Sequence, residues 1–295
     1  MQKPVKASLK DRAKWYLLGF VLFFGPIAIY PRLMQLLTGE ERFANIHSVC
    51  LRMPIGNLFT GKVALHGVVS VSFISFLLLI ISAFFLGPFF CGRLCAAGAV
   101  PEYLSRIIPD RWKINWAKIV NPTPVRYGFF AAFLIAPFLA QALTCNMCQF
   151  ALLQKCVDTN FGVMSSMTIL TLFFWLVLFG IFNVGGRGYC NFMCPVGALQ
   201  NLVHSIGARF GFTYKLRLDR ERCTSCGICV KECPMGVLSK NSDGLSHKIH
   251  NCLTCRHCER VCPKGALSYG TGDSGWKETG IKMPGGPDVP VDAGK

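Results

Sequence analysis

The sequence predicts an all-α membrane domain of four transmembrane helices, followed by a small α+β domain at the C-terminal end. Two observations predict this fold class. Hydrophobic residues make up 52% of the 295-residue chain, charged residues only 16%, and the mean hydropathy is +0.41, an apolar excess typical of membrane proteins. After Arg217 the hydrophobicity falls and the density of cysteines rises, which indicates a domain boundary.

Four apolar stretches predict the four helices. A spanning helix needs about 20 mostly apolar residues, and the candidates are about Trp15–Leu37, Ala64–Phe90, Tyr127–Leu143 and Val163–Val184. Basic residues are concentrated before the first stretch and between the second and third, at Lys3, Lys6, Lys10, Arg12, Lys14, Arg93, Arg106, Arg111, Lys113, Lys118 and Arg126. By the positive-inside rule these segments and both termini face the cytoplasm. The net charge of +16 is therefore a topology signal for a bacterial or archaeal cytoplasmic membrane, and it does not indicate nucleic-acid binding.

The predicted domains follow from these features. Residues 1–14 form a basic cytoplasmic N-terminus, and residues 15–212 form the membrane domain, which ends in an amphipathic interfacial helix. Residues 217–269 form the cysteine-rich domain, and residues 270–295, rich in glycine, proline and charge, form a flexible tail. The membrane domain contains a weak internal repeat, because CGRLCAAGAV at 91–100 is similar to CNFMCPVGAL at 190–199.

Two cysteine runs in the C-terminal domain carry the strongest chemical signal. CTSCGICVKECP at 223–234 and CLTCRHCERVCP at 252–263 both have the spacing C-x2-C-x2-C-x3-C-P. This spacing is typical of two-cluster bacterial ferredoxins, in which the fourth cysteine of each run binds the other [4Fe–4S] cluster. The predicted ligands are Cys223, Cys226, Cys229 and Cys262 for cluster 1, and Cys252, Cys255, Cys258 and Cys233 for cluster 2. Zinc ribbons are the alternative, but they favour C-x2-C pairs separated by a longer spacer.

Two further cysteine pairs follow the second and fourth apolar stretches. Residues at i and i+4 share one face of a helix, so neighbouring helices would bring four thiols together at the cytoplasmic boundary. We therefore predict a third metal centre, with the ligands Cys91, Cys95, Cys190 and Cys194. The alternatives are small residues at a contact between helices, or thiols that dock a partner.

Four cysteines fall in the loops predicted to face the outside, namely Cys50, Cys145, Cys148 and Cys156. In an oxidising compartment two disulfides are the usual outcome. A metal centre on this side is the second alternative, because electrons that cross a hydrocarbon core about 30 Å thick need a carrier near each face. Structural thiols are the third. We predict that the four form a single site.

His66 lies near the outer end of the second apolar stretch. An ionisable group within a span is by default a functional candidate, and His66 is therefore a candidate for binding quinone. The alternative is a structural hydrogen bond between helices.

Together these features resemble the NapH-type membrane ferredoxins, a family that includes NapH of the periplasmic nitrate reductase system, MauN, and the membrane part of NosR. The resemblance covers about residues 10–268 and rests on the apolar stretches, the two C-x3-C pairs and the two ferredoxin runs. The first pair departs from the family pattern, because Ala96 stands where the family has proline.

The resemblance implies an electron-transfer subunit of a quinol dehydrogenase complex in the lipid membrane. Such a subunit would link the quinone pool to a partner redox enzyme through a chain of [4Fe–4S] clusters. Two clusters are expected in the C-terminal domain, with one or two further iron–sulfur centres at the remaining cysteines. The alternative is a membrane iron–sulfur protein that senses redox state or helps to mature a partner metalloenzyme.

Overall fold

The computed structural model describes residues 2–38, 71–139, 147–157, 166–241 and 244–276. The part before residue 208 is helical. Its elements are α1 (Gln2–Thr38), α2 (Val71–Leu86), a π-helical turn (Phe90–Leu94), α3 (Ala96–Ser105), a 3-10 turn (Asp110–Trp112), α4 (Trp116–Ile119), α5 (Pro122–Leu139), α6 (Gln149–Val157), α7 (Ser166–Leu172), a π-helix (Phe173–Ile181), α8 (Gly188–Phe192) and α9 (Pro195–Gly207).

The C-terminal part combines short strands and short helices. Its elements are β1 (Lys215–Leu218), α10 (Ile228–Glu232), β2 (Leu238–Asn241), β3 (Gly244–His247), a 3-10 turn (Ile249–Asn251), α11 (His257–Val261) and β4 (Leu267–Gly270). Strands β1 and β4 pair antiparallel from Lys215 opposite Gly270 to Leu218 opposite Leu267. Strands β2 and β3 form a second antiparallel pair, from Leu238 opposite His247 to Asn241 opposite Gly244. The first and last strands of this part are therefore paired, and the pairing brings the two ends of the C-terminal part together.

The predicted fold class of four transmembrane helices is wrong. Within the residues that the structure describes, we find no helix that is both long enough and apolar enough to span a bilayer. Local breaks explain part of the difference. The second apolar stretch is interrupted at Gly87, whose φ of +65° ends a helix, and α2 has only 16 residues. The fourth stretch is divided between a seven-residue α-helix and a nine-residue π-helix.

Glycines allow the helical elements to approach one another closely. A methyl group on Gly19 of α1 would overlap the carbonyl oxygen of Leu94 in the π-helical turn. A methyl group on Gly207 of α9 would overlap the carbonyl oxygen of Phe84 in α2. Because both neighbouring atoms belong to the backbone, they cannot move aside as a flexible side chain could. These two contacts fix how α1 packs on the π-helical turn and how α9 packs on α2.

A buried network of charged and polar side chains joins distant parts of the chain. The Glu102 carboxylate on α3 accepts hydrogen bonds from Arg12 Nη2 of α1 at 2.9 Å and from Arg187 Nε, just before α8, at 2.6 Å. Both guanidinium groups also donate to the Tyr16 hydroxyl, which in turn donates to the carbonyl oxygen of Gly92 at 2.5 Å. Arg12, Glu102 and Arg187 are each at most 1% exposed. The network therefore holds α1 and both halves of the internal repeat together.

The charges in this network shift the titration of the central carboxylate. Burial alone would raise the pKa of Glu102, but the guanidinium groups of Arg12, Arg187 and Arg106 outweigh burial and lower it to about 2. A carboxylate whose pKa is lower in the folded than in the unfolded protein stabilises the fold at pH values above its unfolded pKa. This stabilisation is lost as the pH falls from the ordinary value of 4.5 to about 2.

We expect Glu102→Gln to destabilise the protein by about 3–5 kcal/mol near neutral pH, because it leaves two buried guanidinium groups without a counter-charge. The measurement is chemical unfolding of both proteins at a series of pH values. The difference in unfolding free energy should narrow as the pH falls from 4.5 toward 2, where the wild-type carboxylate is itself protonated. A difference that is independent of pH in this range would show that the charge of Glu102 does not stabilise the fold.

Candidate iron–sulfur centres

Left-handed backbone turns shape the two cysteine runs of the C-terminal part. In the first run Ser225 and Gly227 have φ values of +51° and +78°, and in the second Thr254 and Arg256 have φ values of +45° and +58°. Such values are uncommon for residues other than glycine and cost energy. In each run these two residues flank the second cysteine, Cys226 or Cys255. The fourth cysteine of each run follows a short helix, since Cys233 ends α10 and Cys262 ends α11.

The two runs exchange their fourth cysteines. Burial, together with the nearby thiols of Cys262, Cys226 and Cys223, raises the pKa of Cys229 to about 11. This neighbourhood is the ligand set that the sequence predicts for cluster 1.

The second neighbourhood matches the other predicted set. Burial and the thiols of Cys255, Cys233 and Cys252 raise the pKa of Cys258 well above its usual range. Cys229 of the first set also raises the pKa of Cys258, so the two sets lie side by side.

A cavity fits the second of these sets. Its lining contains all four cysteines predicted for cluster 2, namely Cys233, Cys252, Cys255 and Cys258. Backbone N–H groups point at the thiols, as from Thr254 to Cys252 Sγ at 3.4 Å and from Ala266 to Cys262 Sγ at 3.3 Å. Hydrogen bonds to the sulfur atoms are one of the ways in which a protein sets a cluster's potential. The residues of this part therefore fit [4Fe–4S] clusters.

In the described part of the chain, no group of three or more His, Cys, Asp or Glu side chains is placed to hold a single metal ion. A four-iron cluster is larger than one ion, and its thiolate ligands do not have to converge on one point.

The structure also brings together the four cysteines of the predicted third centre. All four are at most 7% exposed. Burial raises the pKa of Cys91 well above its usual range, and the thiols of Cys95, Cys194 and Cys190 add to this effect. Burial and the Cys190 thiol likewise raise the pKa of Cys95 to about 12, although the charge of Arg187 opposes them. We refer to Cys91, Cys95, Cys190 and Cys194 as the four-cysteine group.

The two halves of the repeat build this group in the same way. The i, i+4 spacing predicts that both cysteines of a pair lie in one helix. In the structure, Cys95 and Cys194 instead lie in extended backbone and occupy the N-cap positions of α3 and α9. Neither thiol makes a side-chain capping hydrogen bond, but the N–H groups of Gly98 and Gly197, three residues further on, oppose the rise in the pKa of Cys95 and Cys194. A helix N-terminus favours negative charge, including a thiolate. The position of both second cysteines therefore offsets part of the effect of burial, which raises the pKa of both thiols.

The alanine that departs from the family pattern leaves this geometry intact. Ala96 and Pro195 both take the first position of their helices. The cysteine before each has nearly the same backbone, with φ of −75° and ψ of 98° at Cys95, and φ of −75° and ψ of 112° at Cys194. Proline is suited to the first helical position but is not required there.

The segment that contains α6 covers the four-cysteine group, a contact that the sequence did not predict. Gln149 is 3% exposed, and its Nε2 donates to Cys194 Sγ at 3.6 Å. Leu152 packs with Cys194, and Leu153 packs with Cys95. Cys148 was predicted to face the outside. In the structure it lies close enough to Cys194 to raise the pKa of the Cys194 thiol.

Several other sequence-predicted residues lie outside the described part of the chain. These are Cys50, Cys145 and His66. Cys156 belongs to α6, but its side chain is also outside the described part. The outer site and the quinone role of His66 remain predictions.

The four-cysteine group touches the loop of cluster 2. A methyl group on Gly92 would overlap the carbonyl oxygen of Leu253 and would lie 3.0 Å from the backbone nitrogen of Cys255. Cys91 and Cys190 share one buried core with Cys252 and Leu253. Two cysteines of the third group and the loop that carries the second cluster's ligands are therefore packed together without an intervening layer.

Comparisons with known proteins agree with this arrangement. Residues 222–267 match the family described as a 4Fe-4S dicluster domain, and residues 70–115 and 167–213 each match the family described as a 4Fe-4S binding domain. The second match falls once in each half of the repeat and includes both cysteine pairs. Both descriptions name 4Fe-4S domains, and the prediction of two [4Fe–4S] clusters is confirmed.

The particular relatives are ferredoxin-type proteins named MauN and NapH, which confirms the resemblance seen in the sequence. MauN of Methylobacillus flagellatus is 28% identical over 60% of this chain and 58% of its own length. NapH of Escherichia coli is 26% identical over 49% of this chain and 47% of its own length. The putative electron transport protein YccM of Escherichia coli is 24% identical over 61% of this chain and 50% of its own length. The chain thus spans about half the length of these relatives, and no solved structure matches it. The names of these relatives describe them as ferredoxin-type or electron transport proteins.

We expect Gly92→Ala to destabilise the protein by about 1–3 kcal/mol, because the added methyl group cannot fit against the backbone of Leu253. Chemical unfolding measures this change. Gly128→Ala in α5 is the matched control, since nothing lies within 4 Å of its added methyl group. Replacing a helical glycine by alanine should there stabilise the protein by about 0.5–1 kcal/mol. Equal effects of the two substitutions would contradict the close contact at Gly92.

Proposed function

We propose that the protein passes electrons from quinol to a partner redox protein through three iron–sulfur centres. Two are the clusters of the C-terminal part, and the third is held by the four-cysteine group. The observation that carries the proposal is the contact at Gly92, where the four-cysteine group packs directly on the loop between Cys252 and Cys255. Centres in such close contact would form one continuous route.

The quinol and the protein have different roles in the proposed electron transfer. A quinol that is oxidised to quinone gives up two electrons and two protons, whereas an iron–sulfur cluster takes up and releases one electron at a time. The chain's own residues hold the thiolates in place, exclude water from the four-cysteine group and donate N–H groups to the sulfur atoms. The partner redox protein is the final acceptor of both electrons.

Exposed apolar side chains support the proposal that the protein associates with a membrane, where quinols are dissolved. Leu17 and Leu22 of α1 are 65% and 60% exposed, and Leu78 of α2 is 62% exposed. Exposed apolar faces of this kind mark contacts with lipid or with other proteins. A membrane-associated complex with other redox subunits is therefore part of the proposal, as is the location at the cytoplasmic membrane.

The test of the quinol role is anaerobic mixing of the oxidised, cluster-loaded protein with a reduced quinol, followed by visible absorption and EPR. Electron transfer should bleach the cluster absorption, and the reduced clusters should be reoxidised when an oxidised partner subunit is added. A fully loaded protein that no quinol reduces, with or without its partner, would contradict the proposal.

We expect the double substitution Cys91→Ser and Cys190→Ser to remove the third centre alone. The iron content should fall from about twelve to about eight atoms per chain, since a four-iron cluster is lost. Iron and sulfide analysis measures this change. Cys148→Ser is the matched control, because it removes a neighbouring thiol that is not one of the four ligands. An unchanged iron content in the double variant would show that the four-cysteine group holds no cluster.

A further inference from the structure

Arg126 of α5 is a buried cation whose partner is not evident among the side chains around it. It is 0% exposed, and its single hydrogen bond in the described part of the chain runs from Nη1 to the carbonyl oxygen of His250 at 3.0 Å. Its Nε and Nη2 atoms are buried without a hydrogen-bond partner among the described residues. Arginine keeps its charge in proteins, and a buried charge requires an opposite charge nearby.

This guanidinium lies near the four-cysteine group. The thiols that act on Arg126 are those of Cys194, Cys91 and Cys190. Its Nη2 lies directly against the backbone of Gly197, where an added methyl group would overlap it. Gly197 lies in the first turn of α9, three residues after Cys194. The unpartnered edge of the guanidinium therefore faces the site in which the thiols meet.

Arg187 provides an informative comparison within the same group. It lies against Gly98, the repeat counterpart of Gly197, with its Nη1 2.8 Å from the position of an added methyl group. It pairs with Glu102 at 2.6 Å, a carboxylate that it shares with Arg12. For Arg126 the structure describes no carboxylate within ion-pair distance in the ranges that it covers. Of the two arginines at the four-cysteine group, Arg126 is thus the one without a described carboxylate partner.

We propose that Arg126 is a positioning residue of the third centre, which retains the anionic cluster there and raises its reduction potential. This inference rests on the proposed function, because it requires a cluster at the four-cysteine group. Net charge and hydrogen bonds to the sulfur atoms are major determinants of cluster potential. A fixed positive charge favours the reduced cluster, which carries one more negative charge than the oxidised one.

Arg126 also touches the C-terminal part, so a purely structural role has to be separated from an electrostatic one. Its bond to His250 fixes the residue that lies two positions before Cys252. Tyr127 fixes the same residue independently, through a hydrogen bond of 2.9 Å between its hydroxyl and His250 Nδ1. Tyr127→Phe therefore loosens this loop without changing any charge, and it serves as the matched control.

The experiment is an EPR-monitored redox titration of the full chain, loaded with iron and sulfide, together with iron analysis. Arg126→Met should shift the third centre's reduction equilibrium at least tenfold toward the oxidised form, which is about 59 mV for one electron, and should shift the other two clusters less. Arg126→Lys, which keeps the charge, should restore most of the wild-type potential. Selective loss of the third centre in Arg126→Met, with retention in Arg126→Lys, would equally support the proposal.

The contrary results are distinct from one another. A loaded third centre whose potential is the same in Arg126→Met as in the wild type, or that shifts as much in Tyr127→Phe, overturns the role of Arg126 and leaves the proposed function standing. A wild-type protein without a third centre overturns both. If Arg126→Met does not accumulate, Gly197→Ala displaces the guanidinium instead of deleting it. That variant should lower the potential by a smaller amount, and an unchanged potential would overturn the proposal.

Discussion

The carboxylate of Glu102 is the point on which the helical part of the structure depends. Two guanidinium groups from distant parts of the sequence reach it, one from α1 and one from the residue just before α8. The same guanidinium of Arg187 donates to the carbonyl oxygen of Cys91 at 2.8 Å. Because buried charges are tolerated only when they are paired, this one carboxylate determines where α1, α3 and α8 can lie. The position of the four-cysteine group follows from these helices.

The repeat produces two equivalent half-sites, each with one cysteine in a short helical turn and a second cysteine at the start of the next helix. The geometry at Cys95 and Cys194 is nearly the same although their following residues differ. The two half-sites differ in the pairing of their arginines, since the arginine beside Gly98 is paired with a carboxylate and the arginine beside Gly197 has no carboxylate partner among the described residues. A symmetric arrangement of ligands is thereby combined with an asymmetric electrostatic environment.

The sequence predicted the parts of the site that depend on local spacing. The two ferredoxin runs, and the exchange of Cys233 and Cys262 between them, follow from a motif a dozen residues long, and the structure groups these thiols accordingly. The helix boundaries were harder to predict, because an apolar stretch has the same hydrophobicity whether or not Gly87 ends the helix. The roles of Arg126, Gln149 and Glu102 could not be predicted from the sequence. Each depends on a contact between residues far apart in the chain, and Arg126 was interpreted only as part of a basic loop.

The cover formed by α6 has a consequence for how the protein is made. The four-cysteine group is enclosed by Leu152 and Leu153 on one side and by the loop around Leu253 on another. A four-iron cluster held by this group, as proposed above, would be enclosed by these side chains. Its delivery would have to precede the final docking of α6, so that biogenesis of the protein would be ordered, with metal insertion as a step of folding and not a later addition to a finished chain.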